Sequence, residues 1–147
     1  MMSKLLAALP RVLLGLVFFV FGMAGLLQLI PHQEMEGAAA VYMAGLGGTY
    51  LITLVKLTEV VVGLLLLSNR FVPLALTLLA PVMVNIVGFH LFYAPSGLAM
   101  PVVLLALQLF LAWKYRAAFA PMLSAKHQLP AEPKLTLNSS SAQSSAA

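Results

Sequence analysis

The chain has 147 residues, of which 62% are hydrophobic and only 8% charged, with a formal net charge of +4 and no cysteine. A soluble domain carries about 25% charged residues, and a chain this short leaves a large share of its surface exposed, so lipid is the solvent that accommodates this much apolar surface. Disulfides, thiolate metal sites and thiol redox chemistry are excluded by composition, and the scattered basic residues form no stripe of the kind that binds nucleic acid.

The first apolar run, Val12 to Ile30, follows Pro10 and Arg11. It is long enough to cross about 30 Å of hydrocarbon and longer than the apolar region of a cleaved signal peptide. Residues 31–48 interrupt the pattern with His32, Glu34 and Glu36, the small residues Gly37 to Ala40, and Gly47-Gly48. An interfacial or short helical loop is expected there. The second run, Thr49 to Leu67, contains Lys56 and Glu59 and ends in the polar turn Ser68-Asn69-Arg70.

The third run, Phe71 to Tyr93, places Pro73 in a first turn, where a missing N–H is tolerated, and Pro81 in the interior, where a kink is expected. Asn85 and His90 are its polar members. After the turn Ala94-Pro95-Ser96-Gly97, the fourth run extends from Leu98 to Trp113 with Gln108 inside it. Trp113 and Tyr115 suit a headgroup layer. From Ser124 the composition shifts to a serine/alanine-rich segment containing Pro130 and Pro133, read as a disordered tail. Asn138-Ser139-Ser140 in that tail matches a glycosylation triplet and is read as a chance match on a cytoplasmic segment.

The expected architecture is therefore all-α: an integral membrane four-helix bundle over residues 1–123, with helices at about 11–30, 49–67, 71–93 and 98–115, and a disordered tail over 124–147. Lys4, Arg11, Arg70, Lys114, Arg116, Lys126 and Lys134 all fall at one set of helix ends, and the opposite loop carries Glu34 and Glu36. The positive-inside rule then places both termini in the cytoplasm.

Lys56 and Glu59 are the sharpest chemical feature. A charge at the centre of a membrane helix costs about 2.5–3.5 kcal/mol on the insertion scale, and residues three apart share a helical face, where they can pair. Gly63 continues that face and admits a close neighbour, as do Gly15, Gly22 and Gly25 of the first run. Counting about 1.5 Å per residue puts Lys56 about 10 Å deep and Glu59 about 15 Å deep. Asn85 lies at a depth similar to Lys56, while His90 and Gln28 lie nearer the same outer surface. A polar pocket opening outward could gather Gln28, Lys56, Glu59, Asn85 and His90. A structural staple is the competing reading of the Lys56–Glu59 pair, and interhelical hydrogen bonding that of Asn85 and Gln108. His32 and His90 have no diagnostic ligand spacing, and no metal is expected.

Several stretches resemble the DoxX family of small bacterial membrane proteins: Arg11-Val-Leu-Leu-Gly-Leu-Val-Phe18 with Gly22, Glu59 with Gly63-Leu-Leu-Leu-Leu67 and Arg70, Asn85 to His90, and a last helix ending in Trp113 and Arg116. The likeness covers about residues 5–122 and rests on the order of features rather than on one motif. It implies a bacterial cytoplasmic (inner) membrane location and the role of a membrane subunit in an oxidoreductase system, with a quinone or similar amphipathic molecule as ligand. Glu59 would then relay a proton, Lys56 polarise a ligand carbonyl, and Asn85, His90 and Gln28 contact the ligand. Any redox centre would come from a soluble or membrane partner or from a bound cofactor. Two further readings stand beside it: a non-enzymatic anchor or assembly protein for a soluble partner, and a small transporter built as a homo-oligomer.

Overall fold

The computed structural model describes residues 2–29 and 35–123, and every regular element among them is helical. The helices are α1 (Met2–Leu26), α2 (Gly37–Gly47), α3 (Tyr50–Leu67), α4 (Val72–Phe92), α5 (Ala99–Lys114) and the single turn α6 (Arg116–Phe119), with a 3-10 turn at Pro95–Gly97 before α5. Three segments are long and apolar enough to cross a membrane: Ala8–Leu26, Tyr50–Leu67 and Val72–Phe92. Two shorter apolar helices, Gly37–Gly47 and Ala99–Lys114, accompany them. The tail and its Asn138 triplet, together with His32 and Glu34, lie outside the described residues.

Helix bounds differ from expectation chiefly in α1, which begins at Met2 rather than at about residue 11 and ends at Leu26 rather than at 30. Pro10 lies within the helix rather than marking its start. It lacks an N–H, but one missing bond near the end of a long helix does not stop propagation. The early end has a local cause. Gln28 adopts a left-handed conformation, φ 53°, and the amides of Gln28 and Leu29 turn back to the carbonyls of Gly25 and Ala24 at 3.2 and 2.9 Å. This is the six-to-one, five-to-two closure of a Schellman cap. The same device ends α3, where Asn69 has φ 57° and the amides of Asn69 and Arg70 reach the carbonyls of Leu66 and Leu65. Pro73 stands in the first turn of α4, as its missing N–H favours.

α1 packs along α3, α3 on α4, α4 on α5, and α5 returns to α1. The buried stripe of α4 is Val72, Ala75, Leu76, Leu79, Val82 and Met83, spaced in threes and fours as one helical face requires. Pro101, Leu104, Gln108 and Leu111 form the matching stripe of α5. Leu14 and Phe18 of α1 and Val62 and Leu66 of α3 complete the core. Gln108 spans α4 and α5, its Nε2 donating to the Leu76 carbonyl at 3.0 Å, while its Oε1 is buried with no partner.

The packing of α1, α3 and α4 is one-ended, whereas α5 carries buried residues from Pro101 onward. Along α4, no residue after Met83 is buried; along α1, none after Gly22; along α3, none before Glu59; and α2 buries nothing. Antiparallel neighbours put these limits at one level. The half carrying Arg11, Arg70 and Lys114 is tightly packed, and the half carrying α2, His90 and Tyr93 is open.

The closest approach is between α1 and α3. A methyl group on Gly63 would stand 2.6 Å from the backbone nitrogen of Phe19, a separation that real carbon atoms do not tolerate. Gly63→Val should therefore push the two helices apart and cost several kcal/mol, at or above the roughly 1–3 kcal/mol usual for overpacking. Gly88 of α4 meets nothing within 4 Å of such a methyl, so Gly88→Ala should be neutral or stabilise by up to about 1 kcal/mol through helix propensity. Reversible unfolding of both variants in detergent measures the contrast.

Candidate functional site

α3 carries the charged pair because the two positions lie three residues apart, on one helical face. Lys56 Nζ donates to Glu59 Oε2 at 2.8 Å, within the range of a charge-assisted hydrogen bond. The pair straddles the boundary between the packed and open halves. The Glu59 side chain is 3% exposed and that of Lys56 25%. The carboxylate thus belongs to the dry interior, and the ammonium retains an open side.

α1 supplies the wall against which the pair rests. A Cβ on Gly22 would fall 2.9 Å from Glu59 Cβ, and one on Gly25 would fall 2.5 Å from Lys56 Cδ. The glycines leave a trough in α1 that admits the stem of each charged residue. The lysine methylenes lie along Gly25 and the ammonium turns toward the carboxylate. This is the close approach that the small residues of the sequence suggest, and it buries the carboxylate between the two helices.

The remaining expected site residues have other partners. Asn85 Nδ2 donates to the hydroxyl oxygen of Tyr42 in α2 at 2.8 Å. His90 Nδ1 lies 2.8 Å from the carbonyl of Ile86, one turn back in its own helix, and its ring packs edge-on to Phe89. Gln28 is exposed and forms the α1 cap. Asn85 and His90 bond to Tyr42 and to the Ile86 carbonyl, so Lys56 and Glu59 are the two members of the expected pocket brought into direct contact. Among the described residues, no group of three His, Cys, Asp or Glu side chains is placed to hold a metal ion.

Two further contacts do not follow from the sequence pattern. The first is Arg11, which the sequence marks only as a topology signal. Its guanidinium donates from Nη1 to the carbonyl of Leu66 and, at 3.4 Å, to that of Leu67. The last carbonyls of a helix have no partner within it, and a cation there also opposes the negative end of the helix dipole. α1 thus caps α3 from across the interface. The second is Tyr42, whose ring lies 5.4 Å from that of Phe89 and 5.3 Å from that of Tyr93, centroid to centroid. A lone tyrosine in the Ala/Gly-rich stretch 37–48 is the signal in the sequence that could have found it.

No family model matches the chain, and neither a curated protein nor a solved structure matches it.

Removing one member of a buried ion pair leaves the other uncompensated, at a cost of about 3–5 kcal/mol, whereas replacing both with apolar groups is often neutral or better. Lys56→Met and Glu59→Leu should each destabilise the protein, Glu59→Leu less severely because the Lys56 ammonium can turn to its open side. The double variant should recover most of the loss. Chemical unfolding of all four proteins in the same detergent closes the cycle, and additive losses would contradict the pairing.

Proposed function

We propose that this chain is a multi-pass protein of the bacterial cytoplasmic membrane that holds a small amphipathic molecule with its polar head at Lys56 and Glu59. The observation carrying this reading is the ion pair itself: a buried carboxylate held by an ammonium that is still one-quarter exposed. Ionisable groups at membrane depth are costly, and they are found where they bind or move something. The Lys56 ammonium has donors beyond the one given to Glu59, which suit a ligand carbonyl oxygen. Glu59, beside it, can hold or release a proton. The likeness to the DoxX family makes a quinone the first ligand to test and an oxidoreductase the partner to seek. A quinone would supply the two-electron chemistry, and the protein the hydrogen bonds, the proton site and the dry surroundings.

Four spans with both termini in the cytoplasm belong to the same proposal. α5 has 16 residues, about 24 Å at 1.5 Å per residue, a little short of a bilayer core of about 30 Å. The turn at Pro95–Gly97 and the segment through Phe119 lengthen it at either end. Its place between α4 and α1 and the basic residues Lys114 and Arg116 at its end support a span. Because the chain lacks cysteine, single cysteines report sidedness cleanly. A membrane-impermeant maleimide applied to intact cells should label Ser96→Cys and not Ser68→Cys. The reverse pattern, or labelling of both, would overturn the topology.

A second reading has its own observation. Gly22 and Gly25 seat the pair so closely that a structural staple in an assembly or anchor protein is a coherent role. Native mass spectrometry of protein extracted gently from its own membrane separates the two. A bound small molecule in the wild type, lost in a Glu59→Gln protein that is still folded, supports the ligand site. Bare protein in both cases, with Glu59→Gln less stable, supports the staple.

A further inference from the structure

α4 presents Asn85 and Phe89, and its C-cap residue Tyr93 follows at the same interval of four, so the three share one side of the open half of the bundle. None of the three is buried. Tyr42 of α2 occupies this face. Its phenol oxygen takes the Asn85 amide hydrogen at 2.8 Å, its ring stacks on Tyr93 at an interplanar angle of 29°, and it lies tilted on Phe89 at 36°. Ring separations of 5.3 and 5.4 Å fall within the range of attractive aromatic pairs.

Beyond this contact, α2 packs on α3, with Ala39, Ala40, Met43 and Leu46 half-buried. No residue in it is buried, and Gly37, with φ 62°, begins it. Gly45 and Gly47 lie in its last turns, and Gly48 caps it. Each internal glycine weakens a helix by about 1 kcal/mol relative to alanine, and a helix this short is marginal without packing. Tyr42 supplies the hydrogen bond and the ring contacts between α2 and α4, and it is set between glycines that weaken the helix on both sides.

We propose that the Asn85–Phe89–Tyr93 face of α4 is a binding site for a planar ring bearing an acceptor oxygen, and that Tyr42 is a tethered plug occupying it. The ligand chemistry is read from the plug: a flat ring stacks on Tyr93 and Phe89, and an oxygen accepts from Asn85 Nδ2. An untethered hydroxylated or keto-bearing aromatic molecule, dissolved in the outer half of the bilayer, meets the same three groups once α2 swings away. The tether gives Tyr42 a high effective concentration, so the site binds a free ring weakly until the plug is withdrawn. This site uses nothing from Lys56 or Glu59 and stands or falls apart from the reading above.

The test is equilibrium dialysis of menadione (2-methyl-1,4-naphthoquinone) against the full chain in lipid nanodiscs, with empty nanodiscs as the partition baseline. Tyr42→Ala should bind about ten-fold more tightly than wild type, because removing the plug raises the fraction of open sites. Tyr42→Phe, which loses only the hydrogen bond and keeps the packing, should fall between the two. Adding Asn85→Leu to Tyr42→Ala should abolish the gain, and the gain from Tyr42→Ala should persist in a Glu59→Gln background. Unchanged or weaker binding in both Tyr42→Ala and Tyr42→Phe would overturn the proposal, as would indifference to Asn85→Leu. Binding lost in Glu59→Gln but insensitive to Asn85→Leu would place the ligand at the ion pair and refute the plug while leaving the other reading intact.

Discussion

The contact on which the rest depends is the backbone approach of α1 to α3. Lipid gives no hydrophobic drive to bring two apolar helices together, so they associate through close packing and polar contacts. Gly63 lies against the Phe19 backbone, and Gly22 and Gly25 receive the stems of Glu59 and Lys56. At this separation Arg11 reaches the carbonyls at the end of α3. With larger residues at those positions, the trough closes, the charged pair loses its wall, and the cap is out of reach.

The pair and the trough explain each other. A carboxylate 3% exposed within an apolar helix needs a counter-charge and needs to be kept from lipid. α3 supplies the first through Lys56, and α1 supplies the second by having no side chain in the way. The packed half of the molecule ends at the level of Glu59, which leaves the ammonium at the edge of a more open region.

Much of this was legible in the sequence. The three long apolar helices follow from run length, because hydrocarbon thickness sets a minimum that few other structures need. The Lys56–Glu59 contact follows from a three-residue spacing on a helix, and the closeness of α1 from its glycines. The start of α1 was misplaced because Pro10 breaks the hydropathy pattern without breaking the helix. Its end was misplaced because a left-handed glutamine gives no compositional sign. The five-residue pocket illustrates a more general limit. Depth along a helix can be counted from the sequence, but the direction a residue faces relative to other helices depends on packing. Asn85 lies at a depth close to that of Lys56 yet bonds to Tyr42, in a segment read as a loop. Arg11 was legible as a charge and not as a cap, since a cap across an interface requires knowing which helix ends beside it.

That cap ties together positions 55 and 56 residues apart. Helix termini are ordinarily finished by residues next to them in the chain. Here the end of α3 is finished partly by a residue that precedes it by two helices. The guanidinium meets those carbonyls only once α1 and α3 have packed. The carbonyls of Leu64, Leu65 and Leu66 are already met by the amides of Ser68, Arg70 and Asn69, and the packing of the first helix on the third adds the guanidinium to Leu66 and Leu67. The end of this helix is thus completed by a tertiary contact as well as by its own turn.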